Sequence, residues 1–346
     1  MNVTLGIVLA VLAGVINGMF ALPMKLAGRW SWENIWLSFT VFGLVLFPRL
    51  VVAPGIPHLE QAYTHVGAAT LLIPLLWGMV VYSGSLMFGR SIVYIGTALA
   101  FALLVGSMSV VGVLAPILLY SPAVLHLSGG AWILCGIACL LLALAACARA
   151  GAFKARAEAA APGASVNVVR SAARGISLAI AGGALSGLLS LGLNTAWAKT
   201  ISAAAVEYGG AAPSASPNAV LVLVLLGGAV PNCLYCALLL RRNRTWQAFR
   251  KNPAYWAIAV LMATMYAGST ALWGISTSVN MLGRLGPSVG WALFIGAIAV
   301  SSNAGGFLTG EWKNAGPRAR RLMLSGLAAI VLAMTFIGYG NLLVAS

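Results

Sequence analysis

Negative charge is almost missing from this chain. It has no aspartate and only five glutamates (Glu33, Glu60, Glu158, Glu207 and Glu311) in 346 residues, and charged residues of both signs amount to 7%. A soluble protein carries about 25% charged residues, so this chain has too little polar surface to cover a water-soluble globule. Histidine is nearly as scarce: His58, His65 and His126 lie in polar gaps and are expected to be solvated. There is no H-E-x-x-H, no G-x-S-x-G and no P-loop, and Ala184-Leu185-Ser186-Gly187 lacks the first glycine of a rhomboid-type motif. These absences argue against an enzyme and against a nucleotide-driven pump. The five cysteines (135, 139, 147, 233 and 236) sit in or beside apolar runs. Cys233-x-x-Cys236 has no second pair to complete a zinc or redox site, so the cysteines read as small packing residues, and no metal or cofactor is expected.

What the chain does have is apolar length. Hydrophobic residues make up 61%, mean hydropathy is +0.98, and there are 40 glycines, as expected where helices approach closely in lipid. Ten apolar runs of spanning length are predicted at 4–25, 34–53, 69–89, 92–120, 131–149, 175–197, 218–240, 254–279, 287–309 and 322–344. Seventeen of the 20 Lys and Arg fall in alternate gaps, after spans 1, 3, 5, 7 and 9, leaving Arg49, Lys199 and Arg284 for the other side. The positive-inside rule makes the rich side cytoplasmic and both termini periplasmic. The net charge of +15 then reads as topology signal and contact with anionic membrane lipid rather than nucleic-acid binding. No cleavable signal peptide is evident, since the first run has no basic segment before it.

Five helices per half is an odd number, so two homologous halves would enter the membrane in opposite senses. Gly96–Gly106 (GTALAFALLVG) in span 4 matches Gly286–Gly296 (GPSVGWALFIG) in span 9 at a constant offset of 190. Gly14-x-x-x-Gly18 in span 1 has a counterpart in Gly183-x-x-x-Gly187 in span 6, with Asn17 and Ser186 in equivalent places. The expected fold is an all-α polytopic membrane protein, ten transmembrane helices in two inverted five-helix repeats. Residues 1–150 form the first repeat, 151–174 a mobile basic cytoplasmic linker and 175–346 the second repeat. Inverted repeats are a common plan of secondary transporters, with substrate held near mid-membrane between the halves.

Three segments carry a family resemblance: Trp30-Ser31-Trp32-Glu33-Asn34-Ile35-Trp36 after span 1, Trp77-Gly78 in span 3, and Gly310-Glu311-Trp312-Lys313-Asn314-Ala315-Gly316 after span 9. The chain resembles the L-rhamnose–proton symporter family of the drug/metabolite transporter superfamily, nearly end to end. The resemblance implies ten helices, two inverted halves and sugar uptake across the bacterial inner membrane. Within it, the start of span 9 (Gly286-Pro287-Ser288-Val289-Gly290-Trp291) has no acid or tyrosine, and Trp77-Gly78 is followed by apolar Met79-Val80-Val81.

A sugar site needs convergent hydroxyl and amide groups and an aromatic platform. The candidates in the spans are Asn17, Trp77, Tyr82, Ser85, Ser186, Asn194, Tyr266, Ser269, Trp273 and Trp291. Each serine could instead bond the carbonyl one turn back, and each asparagine a neighbouring helix. Proton coupling wants a titratable group near the pathway; Glu33 and Glu311 are the candidates for coupling or gating, with Lys25 as a gate charge. Trp30, Trp32, Trp36 and Trp312 are assigned to the aromatic belt at the membrane interface. The reading is a secondary transporter that takes up L-rhamnose or a related monosaccharide by alternating access, with proton symport. An exporter, exchanger or facilitator of another small metabolite is the alternative.

Overall fold

The computed structural model describes the chain except residues 1–2, 53, 121, 127, 160–166, 194, 252, 277–280, 282–289 and 346. The described residues are helical, with no strand among them. Eight helices are long and apolar enough to cross a membrane, and two shorter apolar helices, Thr97–Gly112 and Leu293–Leu308, join them. We number the ten α1 (Val3–Met19), α2 (Trp32–Val52), α3 (Ala68–Ile95), α4 (Thr97–Tyr120), α5 (Ser128–Ala159), α6 (Asn167–Leu193), α7 (Pro217–Asn243), α8 (Ala254–Ser276), α9 (Trp291–Leu308) and α10 (Gly316–Ala345).

Several boundaries differ from the sequence reading, for identifiable reasons. The first span keeps close to its predicted extent, Thr4–Leu26, but changes form near Pro23: α1 stops at Met19 and a 3-10 turn, Leu22–Leu26, carries Pro23 and Lys25. Arg90 lies within α3 rather than in a loop, its guanidinium over the rings of Trp32 and Tyr94 at 4.9 and 5.7 Å. The turn into α4 falls instead at Gly96, whose φ of +78° lies in the region that a residue without Cβ adopts freely. The expected linker is helical over much of its length: α5 runs to Ala159 and α6 begins at Asn167. An additional helix, Ala196–Glu207, lies between α6 and α7. The middle of α2 is a π-helical turn, Val41–Leu46.

The tryptophan belt is also corrected. Trp36 and Trp312 are fully buried and Trp30 is nearly so. The Trp36 Nε1–H donates to Asn232 Oδ1 on α7 at 2.9 Å, and Trp30 packs among Phe249, Tyr255 and Trp256. These rings hold the loops of one end together; at the sequence level a buried loop anchor and an interfacial tryptophan look alike.

Helix pairing follows a regular plan. α5 packs along α10, α4 against α9, and α2 against α7. α1 packs on α8 and α9, while α6 packs on α3 and α4. The two small-residue motifs bring backbone against backbone in two of these pairs. A Cβ on Gly14 or Gly18 would strike the carbonyls of Phe294 and Ile298 on α9; one on Gly183 or Gly187 would strike those of Leu104 and Met108 on α4. Glycine there lets the backbones touch, which is where van der Waals contact supplies association in an apolar medium.

The contact between α3 and α7 gives a direct test. A Cβ on Gly227 would collide with the backbone of Leu75, which cannot turn aside as a side chain could. Gly227→Val is expected to destabilise the protein by about 1–3 kcal/mol. Gly28→Ala, where nothing lies within 4 Å of the added atom, should stay within about 0.5 kcal/mol of the parent. Thermal unfolding in detergent reads both.

Candidate functional site

Six helices, α1, α3, α4, α6, α8 and α9, surround one central cavity. The space open to water-sized spheres in it is about 100 Å³. Helices α4 and α9 contribute only apolar side chains: Phe101, Leu104, Val105 and Met108 from one, Phe294 and Ile298 from the other. The polar groups come from the remaining four helices: Asn17, Tyr82, Ser85, Ser186, Tyr266 and Thr270. None of the lining side chains is charged. The cavity is therefore a slot with one apolar wall and one hydroxyl- and amide-bearing wall.

Hydrogen bonding within the polar wall orients its groups. The Ser269 hydroxyl donates to the Tyr266 carbonyl at 2.8 Å, so its lone pairs are what it can offer Asn17. Asn17 accordingly donates its Nδ2 to Ser269 Oγ at 2.9 Å, which fixes the amide and leaves Oδ1 as an acceptor for the cavity. Thr270 Oγ1 donates to the same Tyr266 carbonyl at 2.8 Å and presents lone pairs. Tyr266 donates its phenol to Tyr82 Oη at 2.9 Å, leaving the Tyr82 proton free to donate. Ser85 and Ser186 line the cavity and make no hydrogen bond to a described residue. Acceptors thus gather on α1 and α8, and donors on α3 and α6.

Of the ten substrate candidates, the structure brings Asn17, Tyr82, Ser85, Ser186, Tyr266 and Trp273 to this cavity. Ser269 stands one bond behind it, holding Asn17. Trp77 does not line it; its ring lies on α3 against Gly192 of α6, and its Nε1–H is buried with no hydrogen-bond partner. Asn194 and the Trp291 side chain lie outside the described residues. Sequence reasoning missed Phe20, Phe88, Phe101, Phe294 and Thr270. Thr270 had a signal, since it neighbours Ser269. The phenylalanines had none, because a cavity-facing and a lipid-facing phenylalanine read identically in an apolar helix.

At one side of the cavity the aromatic rings close into a plug. Phe20 stacks on Phe39 at 5.3 Å and meets Tyr266 at 5.1 Å and Phe101 edge-on at 6.0 Å, while Phe88 and Phe101 are 4.7 Å apart. Beyond the plug lies the end that carries the lysines and arginines. Here Glu311, after α9, pairs with Lys25. Its Oε1 also accepts the Thr97 N–H at 3.0 Å and its Oε2 the Ala98 N–H at 2.9 Å, the first amides of α4. Lys25 donates in addition to Thr309 Oγ1. Glu33 is more deeply buried and has neutral partners: Asn243 Nδ2 and Thr245 Oγ1 each donate to its Oε1 at 2.9 Å, tying the start of α2 to the end of α7 and the segment after it.

Comparison with known proteins gives the family. The sequence profile described as RhaT, L-rhamnose-proton symport protein, matches residues 1–343. The chain is 24% identical over 345 residues to proteins named L-rhamnose-proton symporter from Klebsiella pneumoniae subsp. pneumoniae and from Citrobacter koseri, covering 98% of each chain. It is 24% identical over 349 residues to the protein of that name from Escherichia coli strain 55989, again with 98% of each covered. No solved structure matches.

Glu311 yields a pH prediction. Burial pushes its carboxyl up, but the hydrogen bond from Lys25, the two α4 amides and the ammonium charge outweigh burial and hold it below the usual carboxylate value of 4.5. A carboxylate with a depressed folded-state value stabilises the fold fully above pH 4.5 and loses that contribution as pH falls through the depressed value. Melting curves of the parent and Glu311→Gln are expected to differ at pH 7 and to converge below pH 4.5.

Proposed function

The chain belongs to the L-rhamnose-proton symport family, and from that membership we propose that it takes up a sugar, L-rhamnose or a related monosaccharide, across the inner membrane by alternating access with proton symport. It is a multi-pass membrane transporter and not an enzyme. The observation that carries the proposal is the central cavity, uncharged and amphipathic, at the meeting of six helices. Hydroxyl and amide groups on one wall suit the hydroxyls of a monosaccharide. The aromatic and aliphatic wall suits the C–H face of a sugar ring and, in rhamnose, the methyl that replaces a hydroxymethyl.

Alternating access in this reading uses two inverted five-helix halves, 1–150 and 175–346. The helices that line the cavity are α1, α3 and α4 of one half and α6, α8 and α9 of the other, the same members of each. The glycine contacts support the same equivalence. Gly14 and Gly18 meet the carbonyls of Phe294 and Ile298; Gly183 and Gly187 meet those of Leu104 and Met108, each 190 residues earlier. Two similar halves can exchange conformations and open the shared site first to one side and then to the other. The lysine- and arginine-rich end is placed in the cytoplasm and both termini in the periplasm. Asn17, Tyr82, Ser85, Ser186, Tyr266, Ser269 and Trp273 are assigned to substrate, together with Thr270. Glu33, Glu311 and Lys25 are assigned to coupling or gating. The predominance of aromatic and aliphatic lining favours, as a second reading, an exporter, exchanger or facilitator of a less hydroxylated neutral metabolite in the same fold.

Uptake of labelled L-rhamnose into proteoliposomes, with and without outside acid, tests the proposal. Saturable uptake that rises with outside acid is expected. Asn17→Leu and Thr270→Val should each raise the half-saturating concentration roughly tenfold, the equivalent of about 1.4 kcal/mol of lost binding. Folded protein that takes up no monosaccharide in a panel would overturn the sugar assignment in favour of the second reading.

A further inference from the structure

Glu311 is the point at which three separate parts of the chain are held together. Its carboxylate joins the segment after α9 to Lys25 in the 3-10 turn after α1, and to the first two amides of α4. At this same end a single residue, Gly96, separates α4 from α3. The positive φ of Gly96 makes it a natural pivot, and a Cβ there would press on Glu311 Oε2 at 2.9 Å. The side chain of Glu311 is 9% exposed, so water does not replace any partner it loses without the site opening.

We propose that Glu311 is the clamp that closes the basic end of the cavity by gripping the N-terminus of α4, and that this end opens when the first turn of α4 withdraws its amides from the carboxylate, with Gly96 absorbing the backbone change. This deepens the transporter reading given above and rests on it. The clamp lies directly beyond the plug, and α4 supplies one of the plug's rings, Phe101, and the apolar wall residues Leu104, Val105 and Met108. Moving α4 therefore breaks the clamp, parts Phe101 from Phe20 and Phe88, and opens the cavity floor in one motion.

The clamp works as a fixed negative charge. Lys25 faces Glu311 from the turn after α1. Lys154 approaches from α5, with its Nζ 5.3 Å from the Trp312 ring centre. Arg320 of α10 donates to the neighbouring Trp312 carbonyl at 2.7 Å. With Lys25 paired to it and two amides in front, Glu311 is held ionised while the end is closed. It is thus a positioning residue for α4. The role is distinct from that of a simple ion pair, because two of its three partners are backbone N–H groups, which need an acceptor and cannot bind a cation.

That distinction sets the test. A reporter cysteine is placed at Leu104, in the cavity wall, after replacement of Cys135, Cys139, Cys147, Cys233 and Cys236. Its labelling by a membrane-impermeant maleimide is followed in inside-out and right-side-out vesicles without substrate. Glu311→Gln is expected to speed labelling from the basic face at least tenfold, leaving the opposite face no faster. Lys25→Met should give a smaller increase, since the α4 amides still hold the carboxylate. The charge swap Lys25→Glu with Glu311→Lys should label as fast as Glu311→Gln, because a lysine cannot bind the amides. Thermal unfolding of each variant in detergent confirms that it is folded. Parental labelling by folded Glu311→Gln, or full restoration by the charge swap, would overturn the clamp. Because no sugar is used, a protein that fails to take up rhamnose can still pass this test, and one that transports can still fail it.

Discussion

The central cavity depends on how closely α1 can approach α9 and α6 can approach α4. In a bilayer there is no hydrophobic gain in pressing two apolar helices together, so contact rests on complementary surfaces and short interhelical distances. Gly14, Gly18, Gly183 and Gly187 provide them by letting backbone meet backbone. With those two seams closed, α4 and α9 lie side by side as one apolar wall, and the polar residues of α1, α3, α6 and α8 face it. A larger residue at any of the four would move a helix and change the width of the slot as well as its stability.

Polar groups are so few in this chain that each one inside it has a visible consequence. Buried polar atoms need partners, and in an apolar medium those partners must come from protein. Asn17 finds Ser269, Ser269 and Thr270 share the Tyr266 carbonyl, and Trp36 finds Asn232. The start of α4 finds the carboxylate of Glu311, and Glu33 binds the segment after α7 through neutral donors. The two carboxylates have different surroundings, one between an ammonium and helix amides and one between a side-chain amide and a hydroxyl.

The spans were the most legible part of the sequence, because apolar length and the clustering of lysine and arginine are imposed by the membrane itself. Ends were less legible. Arg90 looked like a loop residue but sits within α3, since its guanidinium is accommodated over Trp32 and Tyr94. The alanine-rich stretch after 150 looked like a linker and is helical up to Ala159, as alanine's own propensity favours. In the site, the polar members could be picked out because burying an asparagine or tyrosine in lipid-embedded helices demands a reason. Trp77 was picked out by the same logic and lies elsewhere, against Gly192. The phenylalanine plug could not be foreseen, since which face of a helix meets the cavity is decided by packing that no local pattern encodes.

The hydrogen-bond directions in the cavity wall have one more consequence. Asn17 Oδ1 and Thr270 Oγ1 offer acceptors, while Ser85, Ser186 and Tyr82 can give a proton, and the two sets stand on different helices facing one apolar wall. Such an arrangement has a handedness. A ring whose hydroxyls point around it in one order can meet both sets with its C–H face against the wall, and its mirror image, laid on the same wall, turns the order around. In the transporter reading proposed above, such a wall would favour one mirror image of a sugar over the other, the choice resting on where each hydroxyl proton is already spent.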